Sequence, residues 1–94
     1  MLVITKVLIS KRAAKALKRI PRHIADKLDA WKEGVEKIGL LEMRKRPGYH
    51  DEPLHGDLMG QRSIRLSRSY RAIYRVIEDT IIFVLIEEVT KHVY

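Results

Sequence analysis

The side chains able to do chemistry in this chain are imidazoles, guanidiniums and a terminal phenol. His50 and His55 fall in a stretch rich in Pro and Gly, and His92 and Tyr94 end the sequence. Arg62, Arg65, Arg68, Arg71 and Arg75 occupy Gln61–Ile77, a run with no acidic residue and no lysine. A planar guanidinium presents a five-donor fork that matches phosphate, so an all-arginine run points to phosphate or base recognition. Cleaving RNA by attack of its 2′-hydroxyl needs a base near that oxygen, cations on the phosphate and a proton donor for the leaving 5′-oxygen. Histidine, arginine and tyrosine supply all three without a metal. Asp51–Glu52 has no HExxH-type spacing and the histidines are scattered, so no metal is expected. No Walker loop or dinucleotide fingerprint is present, and no cofactor is expected. His23, at the start of a helical stretch, reads as a surface residue.

The remaining composition narrows the setting. Ninety-four residues fit a single domain, here 1–94, with no second core. The absence of cysteine excludes disulfides, thiolate zinc sites and a cysteine nucleophile. The longest apolar run, Ile81–Ile86, falls well short of the roughly 20 residues of a membrane span, and Met1–Ser10 lacks the marks of a signal peptide. A cytoplasmic protein with an anionic partner is expected, given the formal net charge of +7. That charge is uneven: 13 Lys/Arg and 5 Asp/Glu precede Gly48, whereas 6 and 7 follow it. Lys11–Arg22 is a second acid-free stretch and would make association with nucleic acid salt-sensitive.

Elements must hold these residues in place. Val3–Ile9 is β-branched and apolar and predicts a strand. Ser10 is placed to cap a helix whose apolar stripe is Ala13, Ala14, Ala16, Leu17 and Ile20. Pro21 separates it from a second helix, in which Ile24, Leu28, Trp31, Val35 and Ile38 form one seam and Gly39 a C-cap. Leu40–Gly60 reads as one long loop, a place where function concentrates. Three strand-like runs follow: Gln61–Ser67, Tyr70–Ile77 and Thr80–Glu88. The fold class is α+β in the order β-α-α-β-β-β. An N-terminal strand and a helical hairpin lead into a three-stranded antiparallel meander, with the helices on one sheet face and the other face open.

Alternation fixes what the open face carries. A three-residue loop at Ser67–Ser69 sets Leu66 opposite Tyr70 and Arg65 opposite Arg71, with Tyr70 and Tyr74 in the core. Like charges directly opposed cost a few tenths to about 1 kcal/mol, so such a pair suggests an anion between them. A two-residue turn at Glu78–Asp79 would set Arg71 opposite Ile86 and bring Thr90, His92 and Tyr94 to the same face, with His50 and His55 at its rim.

The segments Pro47-Gly-Tyr-His-Asp-Glu-Pro-Leu-His-Gly, Gly60-Gln-Arg-Ser-Ile-Arg-Leu and Tyr70-Arg-Ala-Ile-Tyr resemble the RelE/ParE toxin superfamily, and most nearly its HigB-like branch. The resemblance implies the toxin of a toxin–antitoxin pair: a metal-independent endoribonuclease that enters the ribosomal A site and cleaves mRNA there. By position Arg65 and Arg71 resemble the residues that hold the phosphate, His92 the C-terminal catalytic histidine and Tyr94 the terminal tyrosine. His55 stands where HigB-like proteins carry a lysine. Arg62, Arg68, His50, Lys91, Lys11, Lys15 and Lys18 are expected to contact RNA. Expected partners are a cognate antitoxin, the ribosome and mRNA, with no membrane. The same fold also serves ParE-like toxins that inhibit DNA gyrase without nuclease chemistry, and an RNA-binding module without catalysis is the third reading.

Overall fold

A computed structural model describes residues 4–77 and 81–91 of the chain. Strand β1 (Ile4–Ile9) leads into helix α1 (Lys11–Leu17), helix α2 (Arg22–Ile38) and a short helix α3 (Leu40–Arg44). Four strands follow: β2 (Glu52–Pro53), β3 (Arg62–Arg65), β4 (Tyr70–Val76) and β5 (Ile81–Lys91). They form one sheet in the order β1-β5-β4-β3-β2, in which β1 runs parallel to β5 and every other pair is antiparallel. The α+β arrangement is therefore as the sequence predicts, with an additional short strand and helix between the hairpin and the meander. Among the described residues, no helix is long and apolar enough to cross a membrane.

Local chemistry explains the boundaries. Ser10 Oγ accepts from the backbone N–H of Ala13 at 3.0 Å and caps α1. In α2 the residues Ile24, Leu28, Trp31 and Val35 are buried, as their spacing predicts. Ile38 is not: it stays 47% exposed. The chain turns at Gly39, where φ is +92°, and α3 folds back so that Leu40 and Met43 fill the core in its place. The Leu40–Gly60 segment is thus not one long loop. Its first five residues are good helix formers with buried apolar anchors, and the Pro/Gly punctuation begins only at Pro47. Behind the punctuation lie two 3-10 turns, Pro47–Tyr49 and Gly56–Leu58, on either side of β2.

Gly34 gives α3 room. A Cβ at this position would lie 2.6 Å from Met43 Sδ and 2.8 Å from its Cε. Both atoms are the flexible end of a long side chain, so Gly34→Ala is expected to change stability by less than about 1 kcal/mol, since improved helix propensity offsets the shift of Met43. Gly34→Leu must displace α3 and is expected to cost about 2 kcal/mol in urea unfolding.

The core lies between the helices and one sheet face. Ile64, Leu66, Ala72 and Tyr74 from β3, its following turn and β4 meet Ala13, Leu28, Trp31 and Val35. The Trp31 and Tyr74 rings pack 5.1 Å apart at 47°. At the outer edge of the sheet, the backbone N–H of Val7 donates to the Glu36 carboxylate of α2 at 3.1 Å.

Candidate active site

The β3–β4 hairpin sets the geometry. Ser67 Oγ accepts from the N–H groups of Ser69 and Tyr70, both at 3.2 Å, and closes the three-residue turn. Leu66 N–H donates to the Tyr70 carbonyl at 2.9 Å, and Arg65 stands opposite Arg71. The register inferred from alternation is the one observed, and the two guanidiniums share the sheet face turned away from the helices.

On β5 the expected register fails. Arg71 pairs with Thr90, not Ile86, and Ile86 pairs with Tyr74. Two causes act together. Val76 lies opposite Val84, three residues further along β5 than a two-residue turn at Glu78–Asp79 would set it, and that turn itself lies outside the described residues. A bulge then adds Glu87 between the partners of Ile73 and Tyr74. The bulge restores the parity that sets Thr90 across from Arg71.

The face expected to be open is a concave pocket of about 370 Å³. Arg71 and Ile73 of β4, Ser63 of β3, Thr90 of β5 and Glu52 of β2 line it, with Leu54 and Leu58 from the neighbouring segment. Glu52 is the residue that sequence reasoning missed: its Oε1 lies 3.8 Å from Arg71 Nη1. The acid comes from outside the arginine strands and reaches them because β2 pairs with β3, Glu52 opposite Ser63. A two-residue strand containing Pro53 carries no periodic signal in the sequence. Three buried polar side-chain atoms among the described residues have no hydrogen-bond partner, and two of them, Ser63 Oγ and Arg65 Nε, belong to this face.

Arg62 does not join Arg65 and Arg71. It lies opposite Tyr74 in the register, and its Nε donates to Asp51 Oδ1 at 2.6 Å. Asp51, whose side chain is fully buried, also accepts from the Tyr74 hydroxyl at 2.5 Å, and Arg44 Nε donates to that hydroxyl at 3.3 Å. The even parity of Arg62 along β3 would have placed it on this side. The network holds the residue next to Glu52 and thereby anchors the strand that delivers the carboxylate.

Burial, followed by the bond donated to Asp51, pushes the Tyr74 phenol from its ordinary value of 10.0 up to about 12, against the opposing pull of Arg44. An acid whose folded value is raised stabilises the fold fully below pH 10 and loses that contribution as pH rises towards 12. The loss is expected to be on the order of 2–3 kcal/mol. It is read as the difference between urea midpoints of the native chain and Tyr74→Phe from pH 9 to 12.

The other candidates are dispersed. His50, at the end of the first 3-10 turn with φ +45°, and His55, just before the second, are both exposed and neither lines the pocket. Arg68 is exposed at the hairpin tip. Lys11, Lys15 and Lys18 are exposed on and just after α1, in the helical layer on the far side of the sheet from Arg71. Lys91 lies opposite Tyr70 at the end of β5, and His92 and Tyr94 lie outside the described residues. Among the described residues no three His, Asp or Glu side chains converge as a metal site would require.

Known proteins share this fold. Residues 7–88 match the family described as the ParE toxin of the type II toxin–antitoxin system parDE. No curated protein matches the sequence. Among solved structures, the E. coli DinJ–YafQ toxin–antitoxin complex aligns with a TM-score of 0.73 at 20% identity, covering 96% of this chain and 94% of that one. A YoeB/ParE toxin from Agrobacterium tumefaciens gives 0.70 at 18%, covering 94% and 99%. The RelBE2 toxin–antitoxin complex from Mycobacterium tuberculosis gives 0.69 at 22%, covering 96% and 100%. The matched residues run from within β1 to within β5 and take in the whole arginine hairpin, so this chain belongs to the ParE toxin family of type II toxin–antitoxin systems, within the RelE/ParE superfamily.

Proposed function

We propose that this toxin is a ribosome-dependent endoribonuclease that cleaves mRNA in the A site by metal-independent general acid–base chemistry. The observation that carries this reading is the opposed Arg65/Arg71 pair beside a pocket that also holds the Glu52 carboxylate. Two cations held together across a sheet are stabilised by a phosphate placed between them. In the reaction the 2′-oxygen attacks the adjacent phosphorus and the P–O5′ bond breaks, leaving a 2′,3′-cyclic phosphate and a 5′-hydroxyl. The 2′ proton passes to a base, for which Glu52 is in place, and the 5′-oxygen takes a proton from an acid. The resemblance offers His92 and Tyr94 as catalytic candidates, with His55 a further one, and leaves the division between acid and base among them open. Arg65 and Arg71 carry the charge that grows on the phosphoryl oxygens.

The exposed cations of Lys11, Lys15 and Lys18 suit rRNA, and the ribosome would orient a substrate that so small a domain holds weakly by itself. A cognate antitoxin is part of the proposal, since YafQ and RelE2 relatives are solved as complexes with theirs. The family match favours a second reading, a ParE-like inhibitor of DNA gyrase. Adding the purified protein to a translating extract and mapping RNA ends separates the two. Ribosome-dependent fragments with 5′-hydroxyl ends support the nuclease. Intact mRNA, together with gyrase-dependent DNA breaks, supports the inhibitor.

A further inference from the structure

We propose that the pocket takes one unstacked nucleobase of the RNA, and that Ser63 is the residue that discriminates among bases. The proposal rests on the nuclease reading for its biological substrate but not for its test. Ser63 is 2% exposed and its hydroxyl has no hydrogen-bond partner among the described residues, although it lines the pocket. A buried hydroxyl left without a partner costs stability, and such groups in native proteins call for a specific explanation. Here the surroundings supply one. Leu54, Leu58 and Ile73 give the same pocket apolar walls, and Leu58 remains 41% exposed. Apolar walls with few convergent polar groups are what a planar heteroaromatic ligand needs, the walls taking its faces and the hydroxyl its edge.

The spacing agrees. Ser63 and Arg65 are two residues apart on β3 and point to the same face, about 7 Å apart along the strand. A phosphate held by Arg65 and Arg71 leaves the base of the same nucleotide within reach of Ser63. The second atom of this face without a partner among the described residues, Arg65 Nε, stands at the phosphate end. Each orphaned group therefore meets a different part of one nucleotide. A hydroxyl can donate or accept, so Ser63 favours whichever base offers an edge atom at its position.

The test uses the purified toxin and binding alone. The four ribonucleoside 3′-monophosphates and ribose 5-phosphate are titrated by NMR into the native chain, Ser63→Ala and Arg71→Ala. All four nucleotides are expected to bind at least threefold more tightly than ribose 5-phosphate, with the best and worst differing about fivefold. Ser63→Ala is expected to level the four to within twofold while unfolding at the same or a higher temperature, since an unsatisfied hydroxyl has gone. Arg71→Ala is expected to weaken all five ligands alike. Equal binding of ribose 5-phosphate, no detectable binding, or an unchanged ranking in Ser63→Ala overturns the base pocket. Base discrimination by a chain that cuts no mRNA in the translating extract would leave the pocket standing and remove the nuclease.

Discussion

Asp51→Ala is expected to cost about 3 kcal/mol of stability, the largest loss from truncating a single polar side chain among the described residues. The carboxylate is fully buried and serves two donors, Arg62 Nε at 2.6 Å and the Tyr74 hydroxyl at 2.5 Å. Truncation leaves a guanidinium that is only 25% exposed beside a hole, with the Tyr74 hydroxyl short of its acceptor. Breaking a buried pair by removing one member costs roughly 3–5 kcal/mol, and the partial exposure of Arg62 brings the figure to the low end. Domains of this size carry about 5–10 kcal/mol in total, so the variant keeps a greatly reduced margin. Asp51→Asn still accepts one bond and is expected to lose about half as much. Urea unfolding measures both. Asp51→Ala combined with Tyr74→Phe should lose less than the sum of the two singles, because the phenol then has no donor left unpaired. Strict additivity would mean that the bond contributes nothing.

Arg71→Ala is expected to lower ribosome-dependent cleavage by about 10²–10³-fold, the scale of losing one donor to a developing oxyanion. Stability should move the other way. Removing one of two opposed guanidiniums relieves a repulsion of a few tenths to about 1 kcal/mol, only partly met by the exposed Glu52 at 3.8 Å. A variant that is inactive and at least as stable separates a chemical role from a structural one. Arg71→Lys keeps the charge but not the fork and should recover only a part of the rate. Full cleavage by Arg71→Ala at native rate, measured by primer extension on the same transcript, would remove this hairpin from the mechanism.

The hairpin was legible in the sequence because two independent patterns agreed on it. Alternation put Leu66 beside Tyr70, and Ser67–Ser69 is a turn of the right length and chemistry. The seam of α2 was legible for the same kind of reason, up to Ile38, where the helix ends before another turn can bury it. What could not be read depended on contacts between distant segments. Glu52 reaches Arg71 only because β2 pairs with β3, and Asp51 is held by residues 11 and 23 positions away. Arg62 looked equivalent to Arg65 in a run of arginines, yet parity along β3 sends it to the other side. The β5 register was lost to a three-residue offset already present at Val76 and Val84 and to one further residue at the bulge, neither of which composition or periodicity announces.

The Glu36 carboxylate bonded to the Val7 N–H makes β1 a satisfied rim at that point. Any strand that lengthens the sheet from this side must exchange one charged hydrogen bond, worth roughly 1.5–3 kcal/mol, for a neutral one. A short or ill-matched segment cannot recover that difference. A long one can, by pairing along the rest of β1. The rim thus acts as a length filter on sheet growth, set by one glutamate on the helix whose Ile24, Leu28, Trp31 and Val35 fill the core.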